Sequence, residues 1–376
     1  MLRGVVVLAL VAWPLIGRAA VYPCLTDPGF CYRDVADDGC FDVGTDVGPI
    51  DALIEASSSF PAVPPPGSLI CPPSVEKISA TDHDIRLQSP SGSDVLFYAA
   101  KVFVEDFEIM SGGEILLGQK VFGSRTTDLS AETNVSIEKG GIYTDFAGLL
   151  VTSTSGDITV GPRARITGSG AFFQAFGGGI AFLEKSKVKA KSGSGSGALV
   201  VLSAAGDVDL DSAKITVKKA GYTIDGANVI LRGKTRLKAF AEFSSPSDIT
   251  ATAGDVTIDQ LSLKGDRPVV ISGTNVTIGV MENGKTPRST LTQKNLTVDV
   301  LATDTIHIDN LALSSVGDVT IDTTGTTVDL LASKLKGKKA TPTITVSAGP
   351  GSTCDLTGTQ VVGATLVTSC DTVIGP

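Results

Sequence analysis

The chain has 376 residues, 42 glycines, aromatic residues at only 5%, and 40 acids against 31 Lys and Arg. An acidic balance of this kind argues against nucleic acid as a partner, because a phosphate backbone selects basic proteins. Six cysteines beside only two histidines, His83 and His307, point to disulfides in an exported protein before a zinc site.

The first element in chain order is a leader. Arg3 precedes an apolar run from Val5 to Ile16, and Gly17-Arg18-Ala19 follows with small residues at the expected spacing. This predicts a signal peptide over residues 1–19, cleaved after Ala19. The apolar run from Val5 to Ile16 is well short of the roughly 20 residues that span a bilayer, and no second apolar span follows. The mature chain is therefore expected to have no membrane span, and to be secreted, periplasmic or held at the cell surface. Loss of Arg3 and Arg18 takes the net charge from -9 to -11.

Residues 20–78 read as an N-terminal cap. It holds Cys24, Cys31, Cys40 and Cys71, whose pairing the spacing leaves open. Gly48-Pro49 followed by Ile50, Leu53 and Ile54 predicts one short amphipathic helix with proline in its first turn. Leu69-Ile70-Cys71 predicts a strand that ends at Pro72-Pro73.

Residues 79–376 repeat one pattern, clearest at Gly254-Asp255-Val256-Thr257-Ile258-Asp259-Gln260-Leu261-Ser262-Leu263-Lys264-Gly265. It reads as a short strand, a corner, a second short strand and a glycine exit. Copies open at Asn134, Asp157, Gly179, Asp207, Asn228, Asp255, Asn275, Asn295 and Asp318. The mean step between these openings is about 23 residues, within the range of solenoid repeats. A degenerate repeat of this length with alternating β-branched residues predicts a solenoid. About 12 to 14 coils are expected, and with about 4.8 Å between stacked strands the body is about 60 Å long. Val, Ile and Leu would point inward, and Asp, Thr, Ser, Lys and Arg outward. Asn or Asp at each opening would bond the backbone one coil away. Two cysteines, Cys354 and Cys370, stand close together near the end of the chain and are expected to pair.

This coil resembles the right-handed, single-stranded parallel β-helix of pectate-lyase-like and haemagglutinin-like exported proteins. Gly44 to Ile54 together with Leu69 to Pro73 resembles the capping segment that opens many pectate-lyase-like chains. Val47 stands where that segment usually has a second Asp. The resemblance implies an architecture shared by proteins of many functions.

Candidate chemistry lies in two stripes. Outward acids on the first strands, among them Asp157, Asp207, Asp209, Asp255, Asp304 and Asp318, would form a face able to take Ca²⁺, as a lyase requires beside a basic residue. A hydrolase would instead need paired carboxylates on adjacent coils. The second strands are basic: Arg163 and Arg165, Lys185 and Lys187, Lys214, and Lys234 and Arg236 recur in nearly one frame. That stripe would bind an anionic polysaccharide or a similar cell-surface component, unless the acids neutralise it. The function expected is a non-enzymatic exported β-helix with a surface, adhesive or structural role. The alternative is a pectate-lyase-like polysaccharide lyase or a glycoside hydrolase. No cofactor other than Ca²⁺ is implied, and no catalytic residue is singled out.

Overall fold

Alternation at period two buries one side of each short strand, and a lone strand cannot cover that side itself. The chain solves this by stacking on itself. The computed structural model describes residues 91–375, except 93, 98–100, 119, 139, 145–147, 192–199, 242–246, 280–285, 295–296 and 339–340, together with the backbones of six strands between Tyr22 and Gln88. The fold is an all-β parallel solenoid of about 11 turns, with no helix among the described residues.

Each turn adds one strand to each of three parallel sheets. Sheet I contains Val135–Ile137, Ile158–Val160, Ile180–Phe182 and Val208–Asp211. Sheet II contains Gly141–Thr144, Arg165–Gly168, Lys187–Ala190 and Lys214–Lys219. Sheet III contains Leu149–Ser153, Ala171–Ala175, Val200–Ala204 and Tyr222–Gly226. Val256–Gly265 shows how one segment serves two sheets. Its residues 256–258 continue sheet I, and its residues 262–265 continue sheet II after a corner.

The core is a set of columns running through these turns. Val135, Ile158, Ile180, Val208, Val229 and Val256 are successive register partners in sheet I, and each is 0–1% exposed. Burying each such side chain contributes about 1.5–3 kcal/mol. Sheets I and III touch across the interior, where the rings of Phe173 and Phe182 meet edge to face at 5.2 Å. At the C-terminal end Cys354 is fully buried and bonded to Cys370, with Cα atoms 6.0 Å apart. Among the described residues no cysteine is free.

The N-terminal edge is built differently. Cys31–Asp34 pairs antiparallel with both Cys40–Phe41 and His83–Gln88, so the first strand of sheet III does not present a bare edge along that stretch. The helix expected near Ile50, Leu53 and Ile54 and the residue Cys24 lie outside the described residues.

Two expectations need correction. Asn134, Asp157, Gly179, Asp207, Asn228, Asp255 and Asn275 do lead into strands of sheet I. The strands after Asn295 and Asp318 do not: Val298 pairs with Val319 in sheet III. All three strands of a turn carry the same alternation, and turns differ in length. The turn from Val256 to its partner Val276 is short, and the next, from Val276 to its partner Ile306, is half as long again. A fixed period therefore slides from one sheet to another. The expected 12 to 14 coils become about 11 turns.

Candidate functional site

The basic residues stack. Arg165 partners Lys187, Lys187 partners Lys214, and Lys214 partners Arg236, all in sheet II. Their inward neighbours Ile166, Val188, Ile215 and Leu237 are 0–1% exposed, so alternation turns all four cations outward. With about 4.8 Å between strands they form a ladder about 14 Å long. A second outward column lies two residues along. Lys189 partners Thr216, Thr216 partners Lys238, and Lys238 partners Lys264.

Among the described residues of this sheet nothing neutralises the ladder. No Asp or Glu lies in the strand Arg165–Gly168, in the corresponding parts of the next three turns, or in residues 262–265. Arg165, Lys187, Lys214 and Arg236 form no ion pair with any described acid. Like charges at this spacing repel by about 1 kcal/mol per adjacent pair in water.

The corner cations behave otherwise. Arg163 and Lys185 both adopt φ 63°, the left-handed conformation that turns the chain from sheet I into sheet II. Lys185 pairs with Glu184, and that bond, then the charges of Lys185 and Arg163, hold the Glu184 carboxyl below its ordinary range. Lys234 sits exposed at the same corner, facing Gln260. Arg163, Lys185 and Lys234 therefore flank the ladder rather than belonging to it.

The acidic stripe does not assemble as expected. Acids and amides that open sheet I are hydrogen-bonded to the backbone of the next turn. Asn134 Oδ1 accepts from the Asp157 N–H at 2.9 Å, and Asp157 Oδ1 accepts from the Gly179 N–H at 2.7 Å. Asn228 Oδ1 accepts from the Asp255 N–H at 2.9 Å, while Asn228 Nδ2 donates to Asp207 Oδ1 at 2.8 Å. These oxygens hold corners together. Asp209, in a shallow concavity with Asp157 and Asp207, forms an ion pair with Arg232 at 2.9 Å. Burial raises its pKa, and the Arg232 charge opposes that shift. Asp318 and Asp322 lie along another sheet, where Asp318 Oδ1 accepts from the Thr343 N–H at 2.8 Å. No group of three or more His, Cys, Asp or Glu among the described residues is placed to hold a metal ion.

His307 is less isolated than its sequence neighbours suggest. It partners Asp329 one turn on, with Nδ1 3.2 Å from Oδ2. Outward acids of sheet III, notably Asp225 and Asp248, also escape a reading built on two strands per coil. The signal that finds them is a third alternating segment in each turn, as in Tyr222-Thr223-Ile224-Asp225.

Comparison with protein families, curated proteins and solved structures returns no significant match.

Proposed function

We propose that this protein is an exported, non-enzymatic solenoid whose sheet II binds an anionic polysaccharide. The observation that carries the reading is the in-register, unneutralised ladder of Arg165, Lys187, Lys214 and Arg236. A flat row of evenly spaced cations suits a long polyanion, since each rung adds a weak, additive contact along the solenoid axis. A surface or adhesive role follows from binding a polymer without a pocket to close around it. We extend the proposal to a signal peptide over residues 1–19, to the right-handed winding that parallel crossovers favour, and to a disulfide-bearing cap over residues 20–78.

The test is retention of the protein on immobilised polygalacturonate, a sulfated glycan and a neutral glucan, eluted with salt. Retention on the two anionic supports, lost early in the salt gradient, is expected. The double variant Lys187→Glu with Arg236→Glu should bind about tenfold more weakly, equivalent to about 1.4 kcal/mol. Equal retention of wild type and variant, or equal retention on the neutral glucan, would overturn the reading.

A further inference from the structure

Charge on this solenoid is sorted by face. Five successive strands of sheet II carry outward cations, on Arg165, Lys187, Lys214, Arg236 and Lys264. Sheet III carries the opposite sign. Its outward positions hold Asp225 and Asp248 on adjacent turns, because Asp248 partners Thr223 and Asp225 partners Thr250. One turn further, Val270 separates Asp248 from Asp299, and Asp322 follows on the next turn, beside Leu301. Four of five successive strands of sheet III are thus acidic outward. None of the described strands of sheet III from Leu149–Ser153 to Thr343–Ser347 bears a Lys or Arg.

We propose that sheet III of one molecule docks on sheet II of a second copy of this chain. Three features point to a copy. The signs are opposite, and neither face carries the other's sign along its run. Both runs cover five strands, so each is about 19 Å long. Both are ruled at the same strand spacing, because they belong to the same solenoid, so a charge that meets its partner on one rung stays in step on the following rungs. Such commensurate rows steer and align partners by electrostatic complementarity.

The two faces differ, so the contact is heterologous. It leaves an unused sheet II on one copy and an unused sheet III on the other, and so builds rows instead of closed dimers. Five strands of about 16 Å cover on the order of 400 Å² per partner, which is below the size of a stable interface. The association is therefore weak, reversible and sensitive to salt. It shares sheet II with the polysaccharide proposed above, so a polyanion competes with it. It rests on the charge of that sheet and does not require the polysaccharide reading to hold.

Sedimentation of the full chain at rising concentration tests this, at about 10 mM and about 1 M salt, where the screening length is about 30 Å and about 3 Å. Wild type should form concentration-dependent rows at low salt and monomers at high salt. Asp225→Lys with Asp248→Lys cancels the net charge of the acidic run on sheet III, where Asp299 and Asp322 remain, and Lys187→Glu with Arg236→Glu breaks the cation ladder of sheet II with two acids. Each variant alone should be monomeric at low salt. Mixed one to one, they should form a heterodimer, since the first still has a basic sheet II and the second an acidic sheet III. A wild type that stays monomeric at low salt, association that survives in either variant alone, or a mixture that does not associate would each overturn the proposal. Retention on polygalacturonate separates the two ideas: the Asp225→Lys, Asp248→Lys variant should keep it, and wild type failing it sinks only the polysaccharide reading.

Discussion

Thr257 stands between Val256 and Ile258, and its side chain is partly exposed while both neighbours are fully buried. Across the corner, Leu261 and Leu263 are 1% and 3% exposed, with Ser262 outward between them. A helix would turn Val256 and Ile258 to opposite faces, about 200° apart; the strand puts them on one side by parity alone. Val256→Asp or Ile258→Asp should therefore cost several kcal/mol, because an unpaired carboxylate enters a column that also packs the turns above and below. Thr257→Asp should cost little. Thermal unfolding of the three variants checks the contrast, and equal damage from Thr257→Asp would mean the register is off by one.

At the level of elements, what locks one turn to the next is a ladder of side-chain oxygens at the entry to sheet I. Asn228 occupies the middle of it. Its Oδ1 receives the Asp255 N–H at 2.9 Å, and its Nδ2 reaches Asp207 Oδ1 at 2.8 Å. Asn228→Ala removes both bonds and should cost about 1–2 kcal/mol, the usual penalty for stranding partly buried polar groups. Asn228→Asp retains the acceptor but sets a carboxylate against Asp207, so it should also destabilise, and less so in high salt. A thermal midpoint of Asn228→Asp that fell further as salt was added would contradict this account. The ladder also explains why the opening acids make a poor cation site: their oxygens already accept backbone hydrogen bonds.

For the whole molecule, the segregation of charge has an energetic consequence on sheet III. Burial raises the carboxyl pKa of Asp248, and burial followed by the charge of Asp248 raises that of Asp225. Burial, then the charge of Glu108, likewise raises that of Asp128. A folded carboxyl with a raised pKa holds its proton more tightly than the unfolded chain does. Its contribution to stability is therefore full below the unfolded pKa and is lost as pH rises through the folded value. Asp225→Asn with Asp248→Asn should then melt above wild type at neutral pH, with the gap closing as pH falls into the ordinary carboxylate range. Calorimetry in salt high enough to screen contacts between molecules reads this directly. A gap that widened toward acid pH would reverse the sign and remove the burial argument.

Much of this architecture follows from local rules. Alternation within Val256-Thr257-Ile258 decides which side chains are inside, and asparagine or aspartate before such a triplet marks a corner that bonds across turns. The pairing of Cys354 with Cys370 was legible from their isolation at one end of the chain. The sequence also showed that cations recur in one frame. Only the tertiary structure decided what those cations face. Three strands per turn look alike locally, and turns vary from the short one between Val256 and Val276 to the long one between Val276 and Ile306. The phase of a strand, and hence its sheet, is set by hydrogen-bonded register over that distance and not by any short motif. Register placed Arg165, Lys187, Lys214 and Arg236 on one face and Asp225, Asp248, Asp299 and Asp322 on another. Charges that a linear reading pairs and cancels are kept apart, because each face of the solenoid collects residues one full turn apart in the chain.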